Sequence, residues 1–179
     1  MALEHFVYSK HLHFDDFALE EELRAQCASQ EVSQSALSYG LQYSNELTQG
    51  AEAPSEVKWI SEEVGHGLYA LSDLLAGTYI GEYTGLVTPN NPYFRISNYC
   101  FNYPHVKTRK ALSIDAEHYG NRTRFINHSF TPNLDIRYAF HDGLYHVILV
   151  AREPIETGSQ LSFNYGNAYW YLRGAPNPL

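Results

Sequence analysis

Four short stretches of this chain carry residues whose types and order suit chemistry. In the first, Arg124-Phe125-Ile126-Asn127-His128-Ser129 followed by Pro132-Asn133, two apolar residues precede three hydrogen-bonding ones. Such a run anchors backbone in a core and then presents polar groups at a site; the plainer reading is a buried loop held by its own Asn, His and Ser. Gly65-His66-Gly67, ahead of a strand, lets main chain approach a ligand with its N–H and C=O groups free, although a tight turn has the same look. Gly81-Glu82-Tyr83-Thr84-Gly85 sets a tyrosine between glycines inside a strand, where it faces a pocket or packs in the core. Asn164-Tyr165-Gly166 puts a tyrosine just past a strand, with its hydroxyl aimed into a site.

The elements that must position these residues are mostly strands. Residues 14–37 read as helical, because Phe14, Phe17, Ala18, Leu19, Leu23 and Cys27 fall near helical spacing and Asp15-Asp16 can cap the start. Residues 38–56 are rich in Ser, Gln, Gly and Ala and read as a loop or linker ending at Pro54. From Val57 the character changes. Short strands are expected at Val57–Ile60, Leu68–Leu71, Thr78–Val87, Tyr99–Phe101, Ala111–Ile114 and Gln160–Phe163. Leu134–Phe140 and Leu144–Ala151 flank His141-Asp142-Gly143, a hairpin signal. Turns are expected at Thr88–Pro92 and Glu156–Gly158. This order implies a mostly β domain rather than βαβ units. It divides into an N-terminal helical and linker segment (1–56), a site-bearing domain (57–171) and a short tail (172–179).

The chain has 179 residues, enough to bury a core without staples. Its formal net charge of -8 disfavours direct nucleic-acid binding and suits a Lys/Arg-rich partner, or simply solubility. Cys27 and Cys100 form no CxxC pair, so a cysteine-based zinc site is not expected; His11 and His13 make a lone H-x-H that reads as surface histidines. No signal peptide or membrane span is recognisable, which implies a soluble protein, cytoplasmic or nuclear, or exported into a host cell if the source is microbial. The 15 tyrosines supply apolar bodies with polar tips, suited to pocket walls that must also hydrogen-bond.

Together Gly65-His66-Gly67, Gly81–Gly85, Arg124–Ser129, Pro132-Asn133 and Phe163-Asn164-Tyr165-Gly166 resemble, in order and spacing, the SET-domain protein-lysine methyltransferases. The resemblance runs from about Val57 to Trp170. It implies a fold of small β-sheets with a C-terminal knot-like crossing, in which the Tyr165 segment threads past the loop holding Asn127 and His128. It also implies S-adenosylmethionine as methyl donor, S-adenosylhomocysteine as product, and a lysine in a protein or peptide, such as a histone tail, as acceptor. Donor contacts would come from His66, Gly67, Leu68, Tyr99, Arg124, Asn127, His128, Tyr165, Tyr169 and Trp170. The lysine channel would be Tyr83, Phe101, Phe163 and Tyr165, with Tyr165 and Tyr83 as catalytic residues.

The chain departs from the family pattern at three places, and a fourth position bears on the product. Asn164 stands where Asp often precedes the tyrosine. Ser159-Gln160 replaces a Glu pair. Phe130 occupies the position of a zinc-ligating Cys, and no cysteine follows Cys100, so the compact zinc-free type is expected. Phe163 stands where Phe or Tyr tunes multiplicity, and Phe leaves room for di- or trimethylation. Two further readings remain open. One is a catalytically weak SET-like peptide-binding module; the other makes residues 1–56 a substrate-side wall or a homodimer contact rather than a packed helix.

Overall fold

The computed structural model describes residues 6–89, 97–104 and 111–171. In chain order its elements are β1 (Val7–Tyr8), α1 (Phe17–Ser29), α2 (Gln34–Gln42), α3 (Ser44–Gln49), β2 (Ser55–Ser61), β3 (Gly65–Ala70), β4 (Tyr79–Glu82), β5 (Leu86–Pro89), β6 (Cys100–Asn102), β7 (Leu112–Asp115), β8 (Tyr119–Gly120), a 3-10 turn (Arg122–Phe125), β9 (Asn127–His128), β10 (Leu134–His141), β11 (Leu144–Ala151), β12 (Ser162–Phe163) and α4 (Asn167–Tyr171). The strands make small sheets in the orders β10-β11-β4, β5-β7-β6, β2-β3, β1-β8 and β9-β12. The mostly β architecture of small sheets is therefore as the sequence implies.

Local chemistry explains the main elements. Asp142 and Gly143 take φ of 45° and 74°, the two positive angles that a tight two-residue hairpin requires, and β10 and β11 pair in unbroken register around them. The side chain of Asp16 accepts from Ala18 N at 2.9 Å and starts α1; Ser33 caps α2 in the same way. Three sequence expectations are corrected. Residues 38–56 are not a loop: α2 and α3 occupy most of the stretch, because tertiary packing overrides its weak helical composition. At Gly40 an added Cβ would lie 1.9 Å from Phe140 O, so glycine is what lets α2 lie directly on β10. The expected strand Thr78–Val87 is two strands in different sheets, split at Tyr83-Thr84-Gly85, where a Cβ on Gly85 would come within 2.6 Å of Asp115 O. The turn expected at Gly65-His66-Gly67 lies earlier, over residues 62–64; His66 and Gly67 belong to β3. Part of the turn expected at Thr88–Pro92 lies outside the described residues.

Leu23, Cys27 and Ala36 of the N-terminal helices are buried in the same apolar cluster as Leu68, Ile114, Val147, Leu161 and Phe163. Each buried Leu, Ile, Val or Phe among them stabilises the fold by roughly 1.5–3 kcal/mol. Ahead of α1 the chain is extended. β1 runs parallel to β8, with Val7 N donating to His118 O and Ser9 N to Gly120 O, each at 2.7 Å. Farther along, His13 N donates to Gly85 O at 2.9 Å and Val87 N to His13 O at 2.8 Å.

Candidate functional site

β9 and β12 form a two-residue parallel pair, Ser162 opposite Asn127 and Phe163 opposite His128. Asn133 splints it: its Nδ2 donates to Gln160 O at 2.9 Å, and its Oδ1 accepts from Ser162 N at 2.9 Å. Ser129 N donates to Phe163 O at 3.1 Å. This sets the backbone beyond β12 against His128, where Tyr165 N donates to His128 Nδ1 at 3.1 Å. The Tyr165 hydroxyl donates to Ile126 O at 2.9 Å. Pro132-Asn133 was conspicuous in the sequence, but its splinting role was not legible there, because it depends on main chain beyond residue 159.

The four rings expected to line a channel form one chain of contacts. Centroids lie 5.5 Å apart for Tyr83 and Phe101, 6.2 Å for Phe101 and Phe163, and 4.8 Å for Phe163 and Tyr165. The Tyr83 hydroxyl donates to Tyr99 O at 2.6 Å. Burial raises the Tyr83 and Tyr165 hydroxyls well above the ordinary phenol value, and neighbouring tyrosines add to the effect. Both are therefore neutral O–H groups at physiological pH, not phenolate bases.

A second aromatic group continues from Tyr165. Tyr169 packs edge-on at 4.7 Å, Trp170 stacks at 6.1 Å with an 11° interplanar angle, and His128 lies 5.0 Å from Trp170. Burial holds His128 below its usual pKa, so it is neutral. Because Nδ1 accepts from Tyr165 N, the ring proton resides on Nε2. That Nε2 and Trp170 Nε1 are buried without a hydrogen-bond partner among the described residues.

Arg124 lies at the other end. Its guanidinium carbon is 3.9 Å from the Tyr99 ring centroid and 4.5 Å from that of Phe6, and the residue is 5% exposed. Burial lowers its pKa below the ordinary guanidinium value, which still leaves it charged. Nη2 donates to Glu117 O at 3.2 Å, whereas Nε and Nη1 have no partner among the described residues. A buried cation with two unmatched donors is a place for an anion.

On the β3 side, Asn127 Nδ2 donates to His66 O at 3.0 Å. A Cβ on Gly67 would lie 2.7 Å from Ile60 Cδ1, 2.9 Å from Gln160 Nε2 and 3.2 Å from Asn127 Nδ2, so the glycine keeps this junction tight. Leu68 is buried in the core, and its carbonyl accepts from Leu161 N at 2.8 Å.

The family profile of the SET domain matches residues 65–166. This chain belongs to the SET-domain family. Human histone-lysine N-methyltransferase EHMT1 is 34% identical over 120 residues, covering 64% of this chain and 9% of that protein. Histone-lysine N-methyltransferase ash1 of Drosophila melanogaster is 31% identical over 119 residues, covering 64% of this chain and 5% of its own. Among solved structures, the polycomb repressive complex 2 of Chaetomium thermophilum superposes with a TM-score of 0.58 at 26% identity, covering 68% of this chain and 16% of that one. A structure of that complex in an autoinhibited conformation bound to S-adenosylmethionine matches with a TM-score of 0.56 at 22% identity, over 75% of this chain and 19% of that one, and shares the fold. This SET-domain chain thus spans a small fraction of the length of these relatives.

Two features of this chain were missed in the sequence. Phe6 had no motif around it. Glu82 and His146 form a buried pair, with Glu82 Oε1 2.7 Å from His146 Nδ1. His146 Nε2 also lies 3.1 Å from His141 O. Both ring nitrogens thus face acceptors, which fits an imidazolium. Burial works against that charge, but the Glu82 carboxylate and the two hydrogen bonds outweigh it and raise the pKa. The pairing joins adjacent strands, and spacing along the chain does not signal it. Among the described residues there is no group of three or more His, Cys, Asp or Glu arranged to hold a metal, and no helix long and apolar enough to cross a membrane.

Proposed function

We propose that this SET-domain chain is a protein-lysine methyltransferase, transferring the methyl group of S-adenosylmethionine to the ε-amine of a lysine in a protein substrate. The observation that carries the reading is the ring chain Tyr83–Phe101–Phe163–Tyr165, joined through the β9–β12 pair to Asn127 and His128. The unmatched donors fit the donor molecule: Arg124 Nε and Nη1 suit a carboxylate, and His128 Nε2 and Trp170 Nε1 suit ring-nitrogen acceptors. His66, Gly67, Leu68, Tyr99, Asn127, Tyr165 and Tyr169 complete the proposed wall. When bound, the donor supplies an electrophilic methyl group on a cationic sulfur.

The chain's own residues do the rest. The aromatic channel takes a long apolar stem ending in an amine and aligns its nitrogen for in-line attack. A lysine of ordinary pKa costs about 4.6 kcal/mol to hold neutral at pH 7. An apolar channel beside a cation disfavours the ammonium and lowers that cost. The Tyr165 hydroxyl, oriented by Ile126 O, keeps oxygen lone pairs for the amine or the polarised methyl; Tyr83, oriented by Tyr99 O, does the same on the opposite wall. With Phe rather than Tyr at 163, the channel accommodates di- and trimethylation. We assign this unit to residues 57–171, with the threaded crossing at the β9–β12 pair, and without zinc because Phe130 replaces the ligating Cys. The names of the relatives and the acidic net charge favour a basic histone tail as substrate.

The test is transfer of a labelled methyl group to histones and to a cell lysate, with Tyr165→Phe as control. Label that disappears in the variant supports the reading. Donor binding with no transfer would point to a missing substrate or partner, whereas no transfer and no donor binding would favour a peptide-binding module instead.

A further inference from the structure

The extended arm before α1 runs alongside β8, the strand that leads directly into the 3-10 turn and Arg124. It is fastened at several points. The Tyr8 hydroxyl bonds to Glu52, whose carboxylate also accepts from Arg122 N at 3.0 Å; burial and that hydrogen bond push the Tyr8 hydroxyl up to about 12. Thr84 Oγ1 donates to Ser9 O at 2.9 Å, and the His13 ring stacks on Tyr119 at 4.5 Å. The β1–β8 hydrogen bonds at Val7 and Ser9 fix the register. One outcome of this fastening is the place of Phe6: its ring lies over the Arg124 guanidinium, which also has Tyr99 at 3.9 Å and Phe125 at 5.0 Å.

A guanidinium among aromatic faces is held in plane by cation–π attraction while its N–H groups keep their hydrogen-bonding capacity. Arg124 has this arrangement, with Nε and Nη1 unmatched among the described residues. Without Phe6, one of those faces would be solvated, and the guanidinium would be free to swing toward water. The ordering that a bound anion requires would then be lost at the moment of binding rather than prepared beforehand.

We propose that Phe6 is a positioning residue of the donor site: the N-terminal arm lays its ring on Arg124 and holds that cation ready for the carboxylate of the methyl donor. This rests on the donor-site reading above and extends the site to an arm that lies ahead of the residues matched by the family profile.

The experiment measures S-adenosylhomocysteine binding by calorimetry for the full chain and for Phe6→Ala, Phe6→Leu and Phe6→Tyr, with donor KM and kcat alongside. Phe6→Leu keeps apolar bulk without a ring, so it separates the aromatic contact from simple packing. Loss of a desolvated cation–π contact predicts about tenfold weaker binding in the Ala and Leu variants. Phe6→Tyr stays near wild type, and the activity loss appears in donor KM while kcat holds. Wild-type affinity in the Ala and Leu variants would overturn the role of Phe6 while leaving the donor site standing. Equal loss in the Tyr variant, or a loss confined to kcat, would also overturn it. A wild-type chain that binds no S-adenosylhomocysteine would overturn the donor-site reading and this inference with it.

Discussion

Replacing His146 with leucine tests the electrostatics beneath the site. Glu82 is 1% exposed; its Oε1 bonds to His146, and its Oε2 has no partner among the described residues. Removing one member of a buried pair typically costs about 3–5 kcal/mol, because the remaining charge is left desolvated. Neutralising an ordinary carboxyl at pH 7 costs about 3.7 kcal/mol, which bounds the electrostatic part of the loss. We therefore expect His146→Leu to destabilise by about 3–4 kcal/mol at pH 7, or roughly 2–4 °C of Tm per kcal/mol. Wild-type stability depends on pH. A histidine raised in the fold contributes stability that is fully present below its unfolded value near 6.5 and is lost as pH rises through the folded value. Pairing His146→Leu with Glu82→Met removes both charges and should recover most of the loss. The assay is urea unfolding of all three proteins from pH 5 to pH 8. A single variant that loses under about 1 kcal/mol at pH 7, or a double variant no better than the single, would refute the reasoning.

Three other outcomes follow from contacts already described. Gly85→Ala drives a methyl group into the Asp115 main chain, which cannot yield as a side-chain tip would; a loss of about 3 kcal/mol is expected in denaturant unfolding. Gly67→Ala meets only side-chain ends, among them Asn127 Nδ2, so stability should fall by about 1 kcal/mol while S-adenosylhomocysteine affinity, read by calorimetry, falls about tenfold. Phe163→Tyr adds a hydroxyl beside Tyr165 and Phe101; mass spectrometry of the methylated substrate should show a shift toward monomethyl product, and an unchanged distribution would count against the proposed channel.

The sequence disclosed those parts that depend on local chemistry. The Asp142-Gly143 turn needs only two positive φ angles, and Asp16 needs only the next turn of helix to cap, so both could be read from neighbours. The ring chain was legible through a family pattern that keeps order and spacing. What escaped were features decided by distant backbone. α2 and α3 have weak composition and are held by a close approach to β10, which Gly40 permits but does not announce. The strand at 78–87 had to break at Tyr83-Thr84-Gly85 because Asp115 crosses there. Gly65 and Gly67 suggested a turn because glycine is common in turns; here Gly67 is needed for crowding inside a strand. The Glu82–His146 pair and the seat of Phe6 join residues with no shared periodicity.

The β9–β12 pair also bears on how the chain folds. It joins residues 127–128 to residues 162–163 by a parallel pairing of only two residues, with the β10–β11 hairpin formed in between. Short-range hairpins close in microseconds, whereas a small non-local pairing must wait for the chain ends of its loop to be brought together. During synthesis the Arg124–Ser129 stretch leaves the ribosome well before Tyr165 does, and at about 5–20 residues per second a growing chain spends seconds without its last aromatic wall. Until Asn133 has captured Ser162, the nascent protein lacks the β9–β12 pair and the candidate site built around it. Any ligand that recognises the assembled site therefore binds the completed fold and not its precursor, and so acts as a stabiliser of the last step of folding.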